Sequence, residues 1–289
     1  MWRQAQDCEY LTFEHLDAVP RLAHGIFTRR GGFSAPPFDG LNLSGTTGDD
    51  PASVRRNRKA VEAALGLPIV AARPVHGADV VVIDDALVAR ALALHRGTQE
   101  APGAAPIALR EHLRGVSADA MVTNLPDFAL CWAYGDCAPI VLSDPGCSVV
   151  ALVHAGWRGA AAGVVGRAVT VMRERFGCQP EHLLAGIGPS IGACCYAVGP
   201  EVRTAFAADP AIFETTSFVE RDGGNDSTQL YLDVAATSER QLRAAGIARA
   251  NIAVSGYCTG CSPDLFYSNR RGPRHGGRFG VAVGLRPVE

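Results

Sequence analysis

No apolar run in this chain approaches the roughly 18 uninterrupted residues that a membrane-spanning helix requires. The longest candidate, after Trp157, is broken by Arg167. The opening stretch MWRQAQDCEYLTFEHLD carries charges throughout and has no apolar centre, so it does not read as a secretory leader, and a cytoplasmic protein is expected. An excess of positive charge is also missing. The formal net charge is −2, which argues against nucleic acid and against a membrane surface as partners. No internal repeat and no linker-like segment divides the chain, so one domain over residues 1–289 is expected. A second CxxC is lacking too. Cys258 and Cys261 form the single such pair, short of the two pairs a zinc ribbon uses, and packing or backbone positioning is the expected role.

What is present is ordinary globular material, 47% apolar and 19% charged over 289 residues, enough to bury a real core. The nine cysteines are odd in number, scattered, and often in apolar context (Cys131, Cys147, Cys178, Cys194, Cys195). That pattern predicts buried free thiols in a reducing compartment rather than a disulfide framework.

The chemistry concentrates between Ser117 and Gly159. Two strand-like runs, Ala129–Tyr134 and Ser148–Val153, each lead into a polar residue: the first into Gly135-Asp136-Cys137, the second into His154 and then AGWRG. A thiolate and an imidazole just past two buried strands suit a metal site or a Cys–His hydrolase. His76, in Arg73-Pro74-Val75-His76-Gly77, would complete a His₂Cys set if it met them in space. Spacing alone does not separate a metal site from a nucleophile–base pair, or either from a buried cysteine and two structural histidines.

Around this stretch the elements are readable. LAHGIFT is a strand feeding the turn RRGGFS, and Asp50-Pro51 caps a helix that Gly66 closes. ADVVVID alternates like a strand, and Leu87–His95 suits a short helix. The rest of 86–115, rich in Ala, Leu, Pro and Gly, reads as a flexible surface insertion. Ala160–Phe176 reads as one helix, Leu183–Ile187 as a strand, Pro200–Ala208 as a short helix and Asp209–Gln229 as loop. Asp233 opens a helix ending at Gly246, Ile252–Ser255 is a strand, and a last strand follows the arginines at 270, 271, 274 and 278. Basic segments at Arg29/Arg30, Arg56/Arg58, Arg158 and this C-terminal group, beside Gly31-Gly32, Gly188 and Gly277, hint at a phosphate or carboxylate ligand.

Taken together, ADAMVT, GDCAPIVLSDP, VHAGWRG, TRRGGFS, VHG, GIGPSIG-x-CCYAVG, CTG and LFYSNRRGPRHGGR closely resemble the laccase-domain family, from about Leu22 to Leu285. Its members, once labelled polyphenol oxidases, are described as purine nucleoside phosphorylases, and some as peptidoglycan editing factors. The resemblance implies an α/β (α+β) fold, a single domain with mixed sheets sandwiched between helices, similar to toxin cysteine deamidases. It implies one Zn²⁺ on His76, Cys137 and His154, with Cu²⁺ a conceivable occupant. It further implies phosphorolysis of adenosine, inosine and 5′-methylthioadenosine, and deamination of adenosine. Purine nucleoside and phosphate would then be the small-molecule partners, with Arg29, Arg58, Arg158 and Arg278 as phosphate contacts. Asp136 would orient a ligand histidine, move a proton or serve a structural role at the strand end, while Tyr196 and Trp157 would stack on the base or pack, packing being favoured for Trp157. The family's usual alanine before Asp-Cys is Gly135 here, and Asn269 replaces a more usual aromatic or histidine. A four-copper oxidase centre needs about ten histidines, and the chain has eight. Nothing in the sequence sets an oligomeric state.

Overall fold

Apolar β-rich runs separated by Gly-, Pro- and Asp-containing turns build most of this molecule, and a few amphipathic helices cover the resulting sheets. The computed structural model describes residues 1–95, 104–223, 228–272 and 276–288. In order these hold β1 (Trp2–Ala5), β2 (Cys8–Leu11), α1 (Glu14–Asp17), β3 (Leu22–Gly31), α2 (Pro51–Leu65), β4 (Ile69–Val70) and β5 (Val80–Ile83). There follow α3 (Asp85–Leu94), α4 (Ala104–Leu113), β6 (Ala120–Thr123), β7 (Ala129–Tyr134), β8 (Ala138–Asp144), β9 (Val149–Ala155), α5 (Trp157–Ala161) and α6 (Val164–Phe176). The remainder comprises β10 (Leu184–Ile187), β11 (Ala197–Val198), α7 (Pro200–Ala207), α8 (Pro210–Glu214), β12 (Phe218–Asp222), β13 (Thr228–Leu232), α9 (Val234–Ala244), β14 (Ile252–Val254) and β15 (Phe279–Leu285).

One six-stranded sheet runs β1-β2-β3-β15-β7-β4, a second runs β14-β10-β8-β9-β6-β5, and β11-β13-β12 make a small third. Each large sheet is mixed: β4 pairs β7 in parallel and β5 pairs β6 in parallel, whereas β3, β15 and β7 or β8 and β9 run antiparallel. The two large sheets pack face to face. Ile26, Leu130, Trp132, Tyr134, Val281 and Val283 of the first meet Met121, Val141, Val150 and Leu152 of the second in one buried layer. The outer face of the second sheet (Val122, Ile140, Leu142, Val153) lies under α6 and α9 through Val165, Val169, Met172 and Leu242. The outer face of the first sheet lies under α2 through Ala60, Val61 and Leu65. The fold is thus a mixed α/β single domain, helix–sheet–sheet–helix. Each fully buried Val, Leu or Phe contributes about 1.5–3 kcal/mol, so these layers outweigh any single cap or ion pair.

Local signals explain the helix ends. The Asp50 carboxylate accepts the Ala52 and Ser53 N–H groups, Pro51 takes the first helical position, and Gly66 closes α2 at φ +73°. Asp233 caps α9 in the same way.

Several expectations change. Ala160–Phe176 is not one helix: Gly163, at φ +76°, sits left-handed between α5 and α6 and turns the chain. Asp209–Gln229, expected as loop, supplies α8, all of β12 and the first two residues of β13, and these two strands pair within the third sheet. Residues 104–113 of the expected insertion form α4, which buries Ala108, Leu109 and Leu113 against the inter-sheet layer. Residues 96–103 lie outside the described residues. No helix among the described residues is long and apolar enough to cross a membrane.

Candidate metal centre

Side chains alternate along β9. Val150 and Leu152 face the first sheet, and His154 continues that face at the strand end, against Trp132 and Tyr134 of β7 (ring centroids 6.2 and 5.4 Å). His154 is therefore part of the strand, one step earlier than the turn where its sequence placed it. Cys137 lies in the three-residue passage Gly135-Asp136-Cys137, where the chain leaves β7 in one sheet and enters β8 in the other. His76 occupies the corresponding passage from β4 to β5. The structure brings all three together, with one donor atom of each within 4.8 Å of the others. His154 is buried, Cys137 half-buried and His76 exposed, so the cluster opens on the His76 side.

The residue that builds this arrangement is Asp119, which has no accessible surface. Its carboxylate accepts the backbone N–H groups of Val75 (3.2 Å), His76 (2.9 Å) and Gly77 (2.7 Å), and the His154 Nδ1 proton at 2.8 Å. Its carbonyl also accepts the His154 N–H at 2.8 Å. This concave row of amides stabilises His76 in the left-handed region (φ +60°), a costly conformation for a non-glycine residue. With Nδ1 committed to Asp119, His154 presents Nε2 to the cluster. Sequence reasoning missed Asp119, although a carboxylate directly before the apolar run Ala120-Met121-Val122 already called for buried partners.

Electrostatics follow from this geometry. Burial pushes the Cys137 thiol up, but His154 and His76 outweigh it and lower its pKa to about 6. Burial pulls His154 down, yet the Cys137 thiolate and the Asp119 carboxylate raise it to about 9. Near neutrality the metal-free pair is a thiolate facing an imidazolium.

The cavity also fits an ion. A Cβ on Gly156 would lie 2.8 Å from Cys137 Sγ and 3.2 Å from His76 Cδ2, so the missing side chain keeps the donors' common space open. One thiolate and two imidazoles, one of them backed by a carboxylate, are a donor set suited to zinc with a free fourth position.

The other sequence candidates divide. Asp136, at φ +90°, accepts the Thr259 hydroxyl on Oδ1 (2.6 Å) and the Arg270 N–H on Oδ2 (2.7 Å). It therefore shapes the 257–272 loop, and histidine orientation belongs to Asp119. Arg278 packs over Gly135, where a Cβ would come within 2.7 Å of its Cδ, and its charge acts on Asp136 and Cys137. It also donates to Asn269 Oδ1 (2.7 Å), which gives that departure from the family pattern a definite partner. Arg29 donates to the Pro263 carbonyl and stacks 4.5 Å over Tyr267, lining an open groove with Asp39 and Asp264. Arg58 donates twice to the Leu43 carbonyl (3.1 and 2.9 Å), and Arg158 is exposed over the Trp157 ring at 4.2 Å. Trp157 packs on the core as expected, and Tyr196 lies under the Arg270 guanidinium at 5.1 Å. Arg274 lies outside the described residues.

A family model described as multi-copper polyphenol oxidoreductase laccase matches residues 23–286. The chain belongs to this laccase-domain family. Among its relatives, "Purine nucleoside phosphorylase YlmD" of Geobacillus stearothermophilus is 32% identical over 265 residues, covering 91% of this chain and 89% of that protein. "Purine nucleoside phosphorylase SCO2081" of Streptomyces coelicolor is 36% identical over 257 residues, covering 88% and 92%. Crystal structures of the same Geobacillus YlmD and of the Bacillus licheniformis hypothetical protein YfiH each superpose with a TM-score of 0.80 at 29% identity. Each match covers 99% of this chain and 98% or 99% of the other. Laccase-domain membership and the mixed α/β fold agree with the sequence reading. The multi-copper description fits less well: His76–Cys137–His154 is the only cluster of three or more candidate donors containing histidine among the described residues.

Proposed function

We propose that this laccase-domain protein is a zinc-dependent purine nucleoside phosphorylase. In this reading it acts on adenosine, inosine and 5′-methylthioadenosine and deaminates adenosine at the same centre. The observation that carries the reading is the convergence of His76, Cys137 and His154 on the space kept by Gly156, with Asp119 behind His154. The names of its relatives supply the substrate class. Free thiols throughout the chain support a reducing, cytoplasmic setting.

Zinc, when bound, supplies Lewis-acid polarisation at the open side of the cluster. The chain's own residues do the rest. Asp119 fixes the His154 tautomer by holding its Nδ1 proton. Trp132 and Tyr134 shield the buried side of His154 from water. Arg278 is the arginine best placed to hold phosphate, because its charge already acts on the Cys137 and Asp136 side of the centre. Arg29 offers a second anion contact on the groove beside Pro263, whereas Arg58 clamps Leu43 and Arg158 covers Trp157.

The test is chromatography of adenosine incubated with zinc-quantified protein, with and without phosphate. Adenine and ribose 1-phosphate are expected only with phosphate, inosine is expected as the deamination product, and Cys137→Ala should lose all three while remaining folded. Activity retained by the Cys137→Ala protein would overturn the proposal.

One observation favours a second reading. Asp119–His154–Cys137 is also an orienter, base and thiolate nucleophile in line, as a cysteine hydrolase acting on an amide or cell-wall precursor would need. That reading expects chelation to leave activity intact and alkylation of Cys137 to abolish it.

A further inference from the structure

The CxxC pair that the sequence left as packing acquires its missing partners in the fold. β10 and β14 are parallel neighbours at the edge of the second sheet, with Ile187 opposite Val254. The chain segments leaving them stay paired: Ser255 N–H donates to Ile187 O (2.8 Å), Ser190 N–H to Tyr257 O (3.3 Å) and Thr259 N–H to Ser190 O (3.1 Å). This extended register carries Cys194-Cys195 onto Cys258 and Cys261, more than sixty residues away. All four Sγ atoms lie within 4.8 Å of one another, and Cys261 Sγ is 3.4 Å from both Cys194 Sγ and Cys195 Sγ.

Those separations exceed a disulfide's length of about 2.05 Å. They approach the edge of about 3.8 Å expected of a tetrahedron with zinc–sulfur bonds of about 2.3 Å. The backbone is arranged for thiolates as well. Gly192 N–H donates to Cys258 Sγ at 3.3 Å. The Cys258–Cys261 turn is closed by the Cys261 and Ser262 N–H groups on the Cys258 carbonyl (3.1 and 3.0 Å). A Cβ on Gly260 would stand 3.0 Å from Cys195 Sγ, so the small residue between the two cysteines lets the partner thiol approach. Cys194 and Cys261 are exposed and the other two half-buried, which corrects the expectation of buried thiols and leaves the cluster accessible from solvent.

We propose that Cys194, Cys195, Cys258 and Cys261 form a second metal site, a closed tetrathiolate that takes zinc and has a structural role. Four protein ligands leave no open position for substrate, which separates this site from the His76–Cys137–His154 centre. Its structural reach is specific. Thr259, inside the turn, donates its hydroxyl to Asp136, the neighbour of Cys137, so a metal-braced turn holds the backbone that presents Cys137.

The test separates the sites by variants. Protein produced under reducing conditions is desalted and its zinc measured by elemental analysis. Cys137→Ala, which removes a donor of the other centre, is expected to retain about one zinc per chain. Adding Cys258→Ser and Cys261→Ser is expected to remove it. Should that triple variant fail to fold, Cys194→Ser alone in the Cys137→Ala background serves instead, because its side chain lies at the surface. Cobalt substituted into Cys137→Ala is expected to show the thiolate-to-cobalt charge-transfer bands of a tetrahedral sulfur site. A folded Cys137→Ala protein that binds neither zinc nor cobalt would overturn the proposal, as would zinc content unchanged by the added serines. Loss of two titratable thiols without metal would also overturn it, in favour of a disulfide.

Discussion

The two donor clusters of this molecule solve opposite problems. His76, Cys137 and His154 sit at one end of the inter-sheet layer, three donors of mixed type with an exposed edge and a fully buried carboxylate holding two of them. The cysteine quartet sits beyond the ends of β10 and the edge strand β14, four like donors shaped by backbone hydrogen bonds. The difference teaches where chemistry and bracing each belong. An incomplete, rigidly backed donor set leaves room for a substrate, whereas a complete sulfur set ties two loops together.

The sharpest way to break the comparison is to fill the space between the donors of one cluster only. Gly156→Val should place methyl groups against Cys137 and His76, lowering kcat/KM by about 10²-fold or more, with zinc at the quartet unchanged by elemental analysis. Retention of activity would show that the Gly156 space is not where the chemistry occurs. Asp119→Asn should come next. It removes the charge behind His154 and weakens metal affinity by about 10- to 100-fold, readable by competition with a chromogenic chelator.

A smaller but more diagnostic effect is the proton inventory. At pH 7.5 the Cys137 thiol, at about 6, is already ionised, and His154, at about 9, is still protonated. Zinc entering the mixed centre should therefore release about one proton, taken from His154. Affinity there should strengthen as pH rises towards 9, because deprotonating His154 frees the ligand. In the quartet, burial raises the Cys194 and Cys195 thiols, so zinc entering there should release at least their two protons. Calorimetry of zinc binding in two buffers of different ionisation enthalpy, in variants carrying one site each, measures both numbers. Equal proton release at the two sites would contradict the thiolate–imidazolium pair. The smallest effect is expected for Arg158→Ala, which loses an exposed stacking contact on Trp157. About 0.5 kcal/mol of stability should be lost in thermal denaturation, with kcat/KM nearly unchanged.

Legibility in the sequence follows the range over which each signal acts. Caps are local, so Asp50-Pro51 and Gly66 marked α2, and Asp233 marked the start of α9. The apolar runs marked β3, β7 and β15. Pro139 concealed β8, since proline is unusual in a central strand, although it occupies only the second position, opposite His154. The three donors of the mixed centre were legible as motifs, while their partner Asp119 was visible only once the β4–β5 passage folded against β6. The cysteine quartet was not legible as a cluster. Its halves are joined by the register of β10 on β14, and no spacing within the chain records that pairing. Asp136 was singled out for lying beside Cys137, but its backbone conformation turns its carboxylate towards Thr259 and Arg270.

Both His76 and Cys137 lie where the chain steps from one large sheet to the other, and His154 caps a strand of the second. An ion gripping all three is therefore a rivet through the sandwich, and its bite depends on how far one sheet has slid along the other. Any substitution that shifts that sliding, even one elsewhere in the buried layer that holds Leu130 and Val150, changes the angle at which the donors meet.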